Sequence, residues 1–313
     1  GPAGSLGWPR RAAATRTGSH AGTAQAFQNG TIYTSSAGAA AVLAPVYAKF
    51  MASGNETGRL GYPTGDAVQS SAAGGASWQA FQGGRIVVAG STSTVVSGSM
   101  LAIWLKRNGG DGSMGWPTAD AQTVTAQGRT GTLQTFQTGV AVDQGALRTV
   151  TGPIGKTYLY HGGPSGVLGW PTSVANGSSA NGGGWAQRFS GGTIFWSGNA
   201  GTHALARGKV LDLYNARGGV NGTLGWMSAS GNDHHGIGGT YAVFMNGRIY
   251  ASRAGTDAVL GAILERYLAK GGTRGTLGWP TSNARSVHGA VVQTFQHGRI
   301  SWTQSGGAKA SRS

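Results

Sequence analysis

Six aromatic side chains, Trp8, Tyr62, Trp116, Trp170, Trp226 and Trp279, recur at steps of 54, 54, 54, 56 and 53 residues, each behind a Leu-Gly or Met-Gly pair. Proline follows every one except Trp226, where Met227 takes its place and makes that copy less constrained. Flat rings at regular intervals can stack on the apolar faces of sugars, or they can plug gaps between packed units. The sequence leaves both roles open. Gln28, Gln82, Gln137 and Gln296 keep the same period. Their amides hold donors and acceptors, which suit either sugar hydroxyls or loop backbone. A further glutamine lies two residues before the repeated Phe, at Gln25, Gln79, Gln134, Gln187 and Gln293. Arg85, Arg248 and Arg299 share one position directly after a glycine, forming a rim that suits phosphate or carboxylate groups. Together the turn aromatics, turn glutamines and rim arginines are the candidate glycan-binding residues.

Catalytic chemistry finds less support. Glycoside hydrolysis needs two carboxylates flanking the bond, yet Glu56 and Glu265 occupy unrelated repeat positions and no Asp recurs in more than two units. Neither a serine nucleophile elbow opening a helix nor a P-loop is present. Asp233-His234-His235 is the densest metal-like cluster, but it lacks further ligands at suitable spacing and reads as a solvated loop. No catalytic residue, metal or cofactor is expected.

The formal charge is +15, from 24 basic and 9 acidic side chains. That excess favours a polyanionic partner, or else reflects biased Arg usage. Charged residues make up only 11% of the chain, against about 25% in ordinary domains. The 59 glycines demand many turns, and without cysteine there are neither disulfides nor thiolate metal sites. No apolar run approaches the ~20 residues of a membrane helix, and no signal peptide is visible. The opening Gly1-Pro2-Ala3-Gly4-Ser5 reads as the remnant of a cleaved expression tag.

Three elements must position these residues. The Leu-Gly-aromatic-Pro turn is the first. The second is a hairpin: Phe27-Gln28-Asn29-Gly30-Thr31-Ile32 and its counterparts at Phe81, Phe136, Phe189, Phe244 and Phe295 suggest a two-residue turn at Asn-Gly, with Phe27 opposite Ile32. The third is a short helix, since Val46/Phe50, Met100/Trp104, Ile154/Tyr158, Val210/Tyr214 and Ile263/Tyr267 are each four residues apart and share one stripe. Glycine pairs such as Gly162-Gly163 then end the helix.

The expected fold is an α+β tandem repeat of six ~54-residue units, none of which has enough apolar area to fold alone. Each has a helix, a turn and a β-hairpin, although the first lacks its helix. The array closes into a propeller-like ring, or alternatively runs as an open solenoid. Units fall at about 6–38, 39–92, 93–146, 147–200, 201–254 and 255–303, within one array at 6–303 followed by a tail at 304–313.

The turn, hairpin and helix resemble the LGFP repeat, named for its Leu-Gly-Phe-Pro turn, from Leu6 to about Trp302. Here Phe is replaced by Trp five times and by Tyr once. LGFP repeats occur in exported actinobacterial proteins behind mycolyltransferase, amidase or other wall-acting domains. The resemblance implies a secreted, wall-associated protein and non-catalytic anchoring to peptidoglycan-arabinogalactan or related wall polysaccharide. A catalytic domain in the full-length protein is compatible with it. A glycan-cleaving enzyme on the repeat scaffold is the alternative, and a basic nucleic-acid binder is the second alternative, with no specific nucleic acid expected.

Overall fold

The computed structural model describes residues 4–70, 75–229 and 238–312. Two compact units, Gly1–Lys156 and Thr157–Ser313, each contain three four-stranded antiparallel sheets among the described residues. In the first sheet Ala14–Arg16, Gly22–Phe27, Gly30–Ser35 and Gly38–Leu43 pair in chain order. The same meander repeats over 68–97, 122–151, 176–206, 227–260 and 285–312. No sheet closes on itself, so each has two edge strands.

The expected hairpin is thus the middle of a larger sheet. A short strand precedes it and a full strand follows. That last strand corrects the unit boundaries: Gly38–Leu43, Thr92–Ser97 and Gly255–Leu260 complete the preceding sheet and do not open the next unit. Likewise Gly307–Arg312 is a paired strand within the expected tail. β-Branched residues, as in Thr92–Ser97, suit a strand, and Thr94, Val95 and Val96 are buried in succession, so both faces are covered there.

Among the described residues five α-helices join the sheets: α1 (Val46–Ala52), α2 (Gly98–Lys106), α3 (Gly152–Tyr160), α4 (Lys209–Ala216) and α5 (Gly261–Ala269). Every expected stripe residue is buried. Just beyond the five helices, Gly54, Asn108, Gly162, Gly218 and Gly271 take left-handed conformations, with φ of 89°, 68°, 86°, 88° and 91°. The helix aromatics also explain why Tyr and Trp dominate there. Tyr158, Tyr214 and Tyr267 donate their hydroxyls to the carbonyls of Gly169, Gly225 and Gly278, at 2.7, 2.7 and 2.6 Å. Trp104 Nε1 donates to Gly115 O at 2.9 Å. Each bond ties a helix to the turn that follows it.

Within each half, the cores lie between consecutive sheets. One gathers Tyr33, Val42, Phe50, Tyr62 and Ile86 from the first two sheets and α1. Others join the second to the third, the fourth to the fifth and the fifth to the sixth. Helix and hairpin rings stack across them: Phe50 on Phe81, Tyr214 on Phe244 and Tyr267 on Phe295, at 4.7, 4.5 and 4.6 Å. A lone sheet would leave such a face wet, so neighbouring repeats shelter one another.

Burial pushes the phenols of Tyr158, Tyr214 and Tyr267 up, and that of Tyr250 up to about 12. The unfolded value is about 10, so the fold favours the protonated form. Its stabilising contribution is complete below that pH and is lost as pH rises through the folded values. Alkaline titration should therefore show tyrosinate absorbance and loss of circular dichroism rising together above about pH 11. Full ionisation near pH 10 with the fold intact would contradict this.

Candidate functional site

The turn and the hairpin end form one joint. In the second repeat Gln82 N donates to Tyr62 O at 3.0 Å, Gly83 N to Leu60 O at 2.8 Å, and Thr64 N to Ala80 O at 3.0 Å. The turn glycine makes this approach feasible. Gly61 has φ +66°, and a Cβ there would lie 2.5 Å from Gln82 Oε1. Prolines 9, 63, 117, 171 and 280 each form an isolated bridge with the hairpin Phe of the same repeat.

The hairpin register differs from the expected one. Phe27 pairs with Gly30 and Gln25 with Ile32, so the turn residues are Gln28 and Asn29. Phe27 and Ile32 remain on one face as diagonal neighbours. Gly30 serves close packing instead of the turn, because a Cβ there would sit 2.4 Å from Val42 O on the adjacent strand. Asn-Gly is a hairpin-turn signal, and here it was read one residue too late.

That shift relocates the glutamines. Gln28, Gln82, Gln137 and Gln296 lie in the exposed hairpin turns, not on a strand face. Their Oε1 atoms accept the N–H of the turn aromatics Trp8, Tyr62, Trp116 and Trp279 at 3.0, 2.8, 3.0 and 2.9 Å. Ser190 does this for Trp170 at 3.1 Å. With Oε1 held, the Nε2 groups of those four glutamines make no hydrogen bond among the described residues. The result is an oriented pair of donors at four equivalent hairpin ends.

Among the others, Gln79, Gln134 and Gln293 face inward and join repeats. Buried Gln187 donates to Ser173 O at 3.0 Å, and Gln25 donates to Arg11 O and Ala26 O of its own repeat. Gln79 Nε2 donates to Ala41 O of the first sheet at 3.0 Å and to Gly65 O at 2.9 Å, while Asp66 Oδ1 accepts Ala41 N at 2.8 Å. Gln134 and Asp120 treat Val95 alike, and Gln293 and Asn283 treat Ala258 alike. Two side chains thereby satisfy the backbone of one edge-strand residue, as a neighbouring strand would. Asp66 and Asp120 thus bond backbone amides of the preceding sheet.

Burial corrects the sugar-stacking reading of the turn rings. Tyr62, Trp116, Trp170, Trp226 and Trp279 are all inside, whereas Trp8 is 60% exposed. Tyr62 hydroxyl donates to His20 O at 2.9 Å, and Trp226 Nε1 to Ala180 O at 3.0 Å. Tyr62, Trp116, Trp226 and Trp279 plug joints between repeats, and their faces do not reach solvent. Met227 is buried and opens a paired strand with Phe244, so the missing proline is replaced by sheet pairing. Sequence reasoning passed over the exposed rings Trp185 and Tyr160, at 49% and 87%. It also missed Trp78 and Tyr241, although each sits seven residues before its rim arginine, a diagonal spacing once the turn is placed correctly.

Arg299 is exposed. Arg85 and Arg248 are partly buried: Arg85 lies 3.8 Å over the Trp78 ring and Arg248 5.5 Å from that of Tyr241. Of the carboxylates, Glu56 is buried against Arg16, and Asp120 binds Lys49 Nζ at 2.6 Å. Burial raises the Asp257 carboxyl, and Arg217 partly opposes that shift. Asp233-His234-His235 lies outside the described residues. Among those described, no three metal-ligating side chains gather, and no helix is long and apolar enough to cross a membrane.

These features define a tandem-repeat array in which a Leu-Gly-aromatic turn locks a hairpin and seals the joint to its neighbour. The LGFP repeat family matches residues 6–58, 60–112, 168–222, 229–275 and 277–312, so the chain belongs to that family, a cell-wall-associated repeat domain. Residues 113–167 fall outside those matches yet carry the same turn, sheet and helix. A comparison with curated protein sequences gives no significant match. Among solved structures, virginiamycin B lyase from Staphylococcus aureus is 10% identical, covering 96% of this chain and 83% of that one, with a TM-score of 0.13. The extracellular domain of a one component system from B. thetaiotaomicron is 10% identical, covering 96% of this chain and 33% of that one, with a TM-score of 0.16. Superpositions this poor carry no argument about fold or activity.

Proposed function

We propose that the chain is a non-catalytic module holding an exported protein to peptidoglycan-arabinogalactan or related wall polysaccharide through repeated shallow sites at the hairpin ends. The observation that carries this is the exposed turn glutamine. Its acceptor is held by the turn and its donors are left over, in the same geometry in four repeats. A repetitive polymer can engage several such sites at once, and effective concentration then turns weak contacts into firm retention. Membership of a wall-associated family supports the choice of polymer.

The test replaces Gln28, Gln82, Gln137 and Gln296 together by glutamate. Each Glu keeps an acceptor for the turn N–H and loses the donors. Co-sedimentation with purified actinobacterial wall sacculi should fall about tenfold or more, the loss expected when tandem weak sites are removed, while the melting temperature stays near that of the parent. Undiminished retention would remove the hairpin ends from the site. Release of soluble reducing sugar from the same sacculi would instead make the chain a glycan-cleaving enzyme.

A further inference from the structure

Two equivalent places in the sheets carry a cation on an aromatic face. In the second sheet Trp78 pairs with Val87 and Ala80 with Arg85, so ring and guanidinium are diagonal neighbours on one face. In the fifth, Tyr241 pairs with Tyr250 and Val243 with Arg248, giving the same arrangement. The guanidinium carbon of Arg85 is 3.8 Å from its ring centroid and that of Arg248 is 5.5 Å. Both arginines are partly buried, and neither belongs to an ion pair among the described residues. Burial pulls Arg85 below the usual guanidinium value. A partly desolvated cation without a counter-charge is costly until an anion meets it.

A guanidinium held over a ring face can still present N–H groups to a carboxylate or phosphate. Stacking also covers one face of each ring with the cation. A base or a neutral sugar that needs that face is disfavoured, whereas single-strand readers offer aromatic faces to bases.

We propose that Arg85 on Trp78 and Arg248 on Tyr241 are anchor points for an oxyanion, a carboxylate or a phosphodiester, borne by the wall glycopolymer. The proposal rests on the wall-binding reading and narrows it to an acidic polymer. One anchor lies in each half of the chain. The +15 charge of the whole chain draws such a polymer in.

The test uses the full chain, its Arg85→Gln/Arg248→Gln and Arg85→Lys/Arg248→Lys forms, and four immobilised probes: polygalacturonate, poly(glycerol phosphate), neutral arabinogalactan and duplex DNA. The parent should hold at least one acidic glycopolymer more tightly than arabinogalactan. The Gln form should lose tenfold or more of that affinity. The Lys form, which keeps the charge without the guanidinium, should fall between them. Which acidic probe is held identifies the anion as carboxylate or phosphodiester. Three outcomes would overturn the proposal: equal binding by the Gln form, Lys binding equal to the parent, or DNA held with the same arginine dependence. Retention on intact sacculi without affinity for either acidic polymer refutes the anchors and leaves wall binding standing. Loss of both refutes both.

Discussion

Trp226→Ala is expected to lower the unfolding free energy by about 3–5 kcal/mol, the usual cost of truncating a buried aromatic. The ring is wholly buried in a core with Phe195, Leu211, Tyr214 and Phe244. It lies so close to Gly184 that a Cβ there would approach its Cζ2 to 2.8 Å. Alanine would leave a cavity between two sheets and strip Ala180 O of the indole N–H that now meets it at 3.0 Å. Trp8 occupies the same place in the turn but is exposed, so Trp8→Ala should change stability by less than about 0.5 kcal/mol. Denaturant unfolding of the two variants side by side checks the difference. Comparable midpoints would mean that the turn aromatics do not seal the joints between repeats.

That contrast shows what the sequence could reveal. The period, the helix stripes and the glycine stops were legible because each is a local pattern with a fixed physical cause: Val46/Phe50 and Ile263/Tyr267 can face one core only at helical spacing. The fourth strand was not legible. Ala39, Ala40 and Ala41 carry weak strand preference, and only pairing with Gly30–Ser35 makes them a strand. Candidate positions were legible in the repeat; their roles were not. Gln82 and Arg85 were found by repetition, but whether a repeated aromatic is ligand contact or plug depends on the neighbouring repeat, which periodicity does not describe. The glutamine sets show the same limit. Gln79 and Gln82 are three residues apart and chemically identical, yet one is buried against Ala41 O and the other is exposed in a turn. A hairpin register wrong by one residue hides that distinction, because it moves Gln82 from the turn onto a strand face.

The inward set carries the second large effect. Gln293→Leu preserves approximate volume and greasy contact, so any loss comes from hydrogen bonding. Gln293 Nε2 now donates to Ala258 O at 3.0 Å and to Ser282 O at 2.8 Å. Leucine would leave both carbonyls without that donor, and each unmet buried acceptor costs about 1–3 kcal/mol. The expected loss is about 2–5 kcal/mol, on the same basis. Gln296→Leu, in the exposed turn three residues on, gives up one hydrogen bond with water at hand and should cost about 1 kcal/mol. Asn283 would still accept Ala258 N at 2.9 Å in the Gln293 variant, so half of the clasp on that edge residue survives. Asn283→Ala combined with Gln293→Leu should therefore destabilise further than either change alone, and by a non-additive amount, because both act on one peptide group. The fifth repeat carries Ala242 in place of the inward glutamine. Ala242→Leu is thus the matched substitution without a clasp to break, and its cost reports crowding alone. If Gln293→Leu proved as mild as Gln296→Leu, side-chain capping of the edge strand would not be what fastens one repeat to the next.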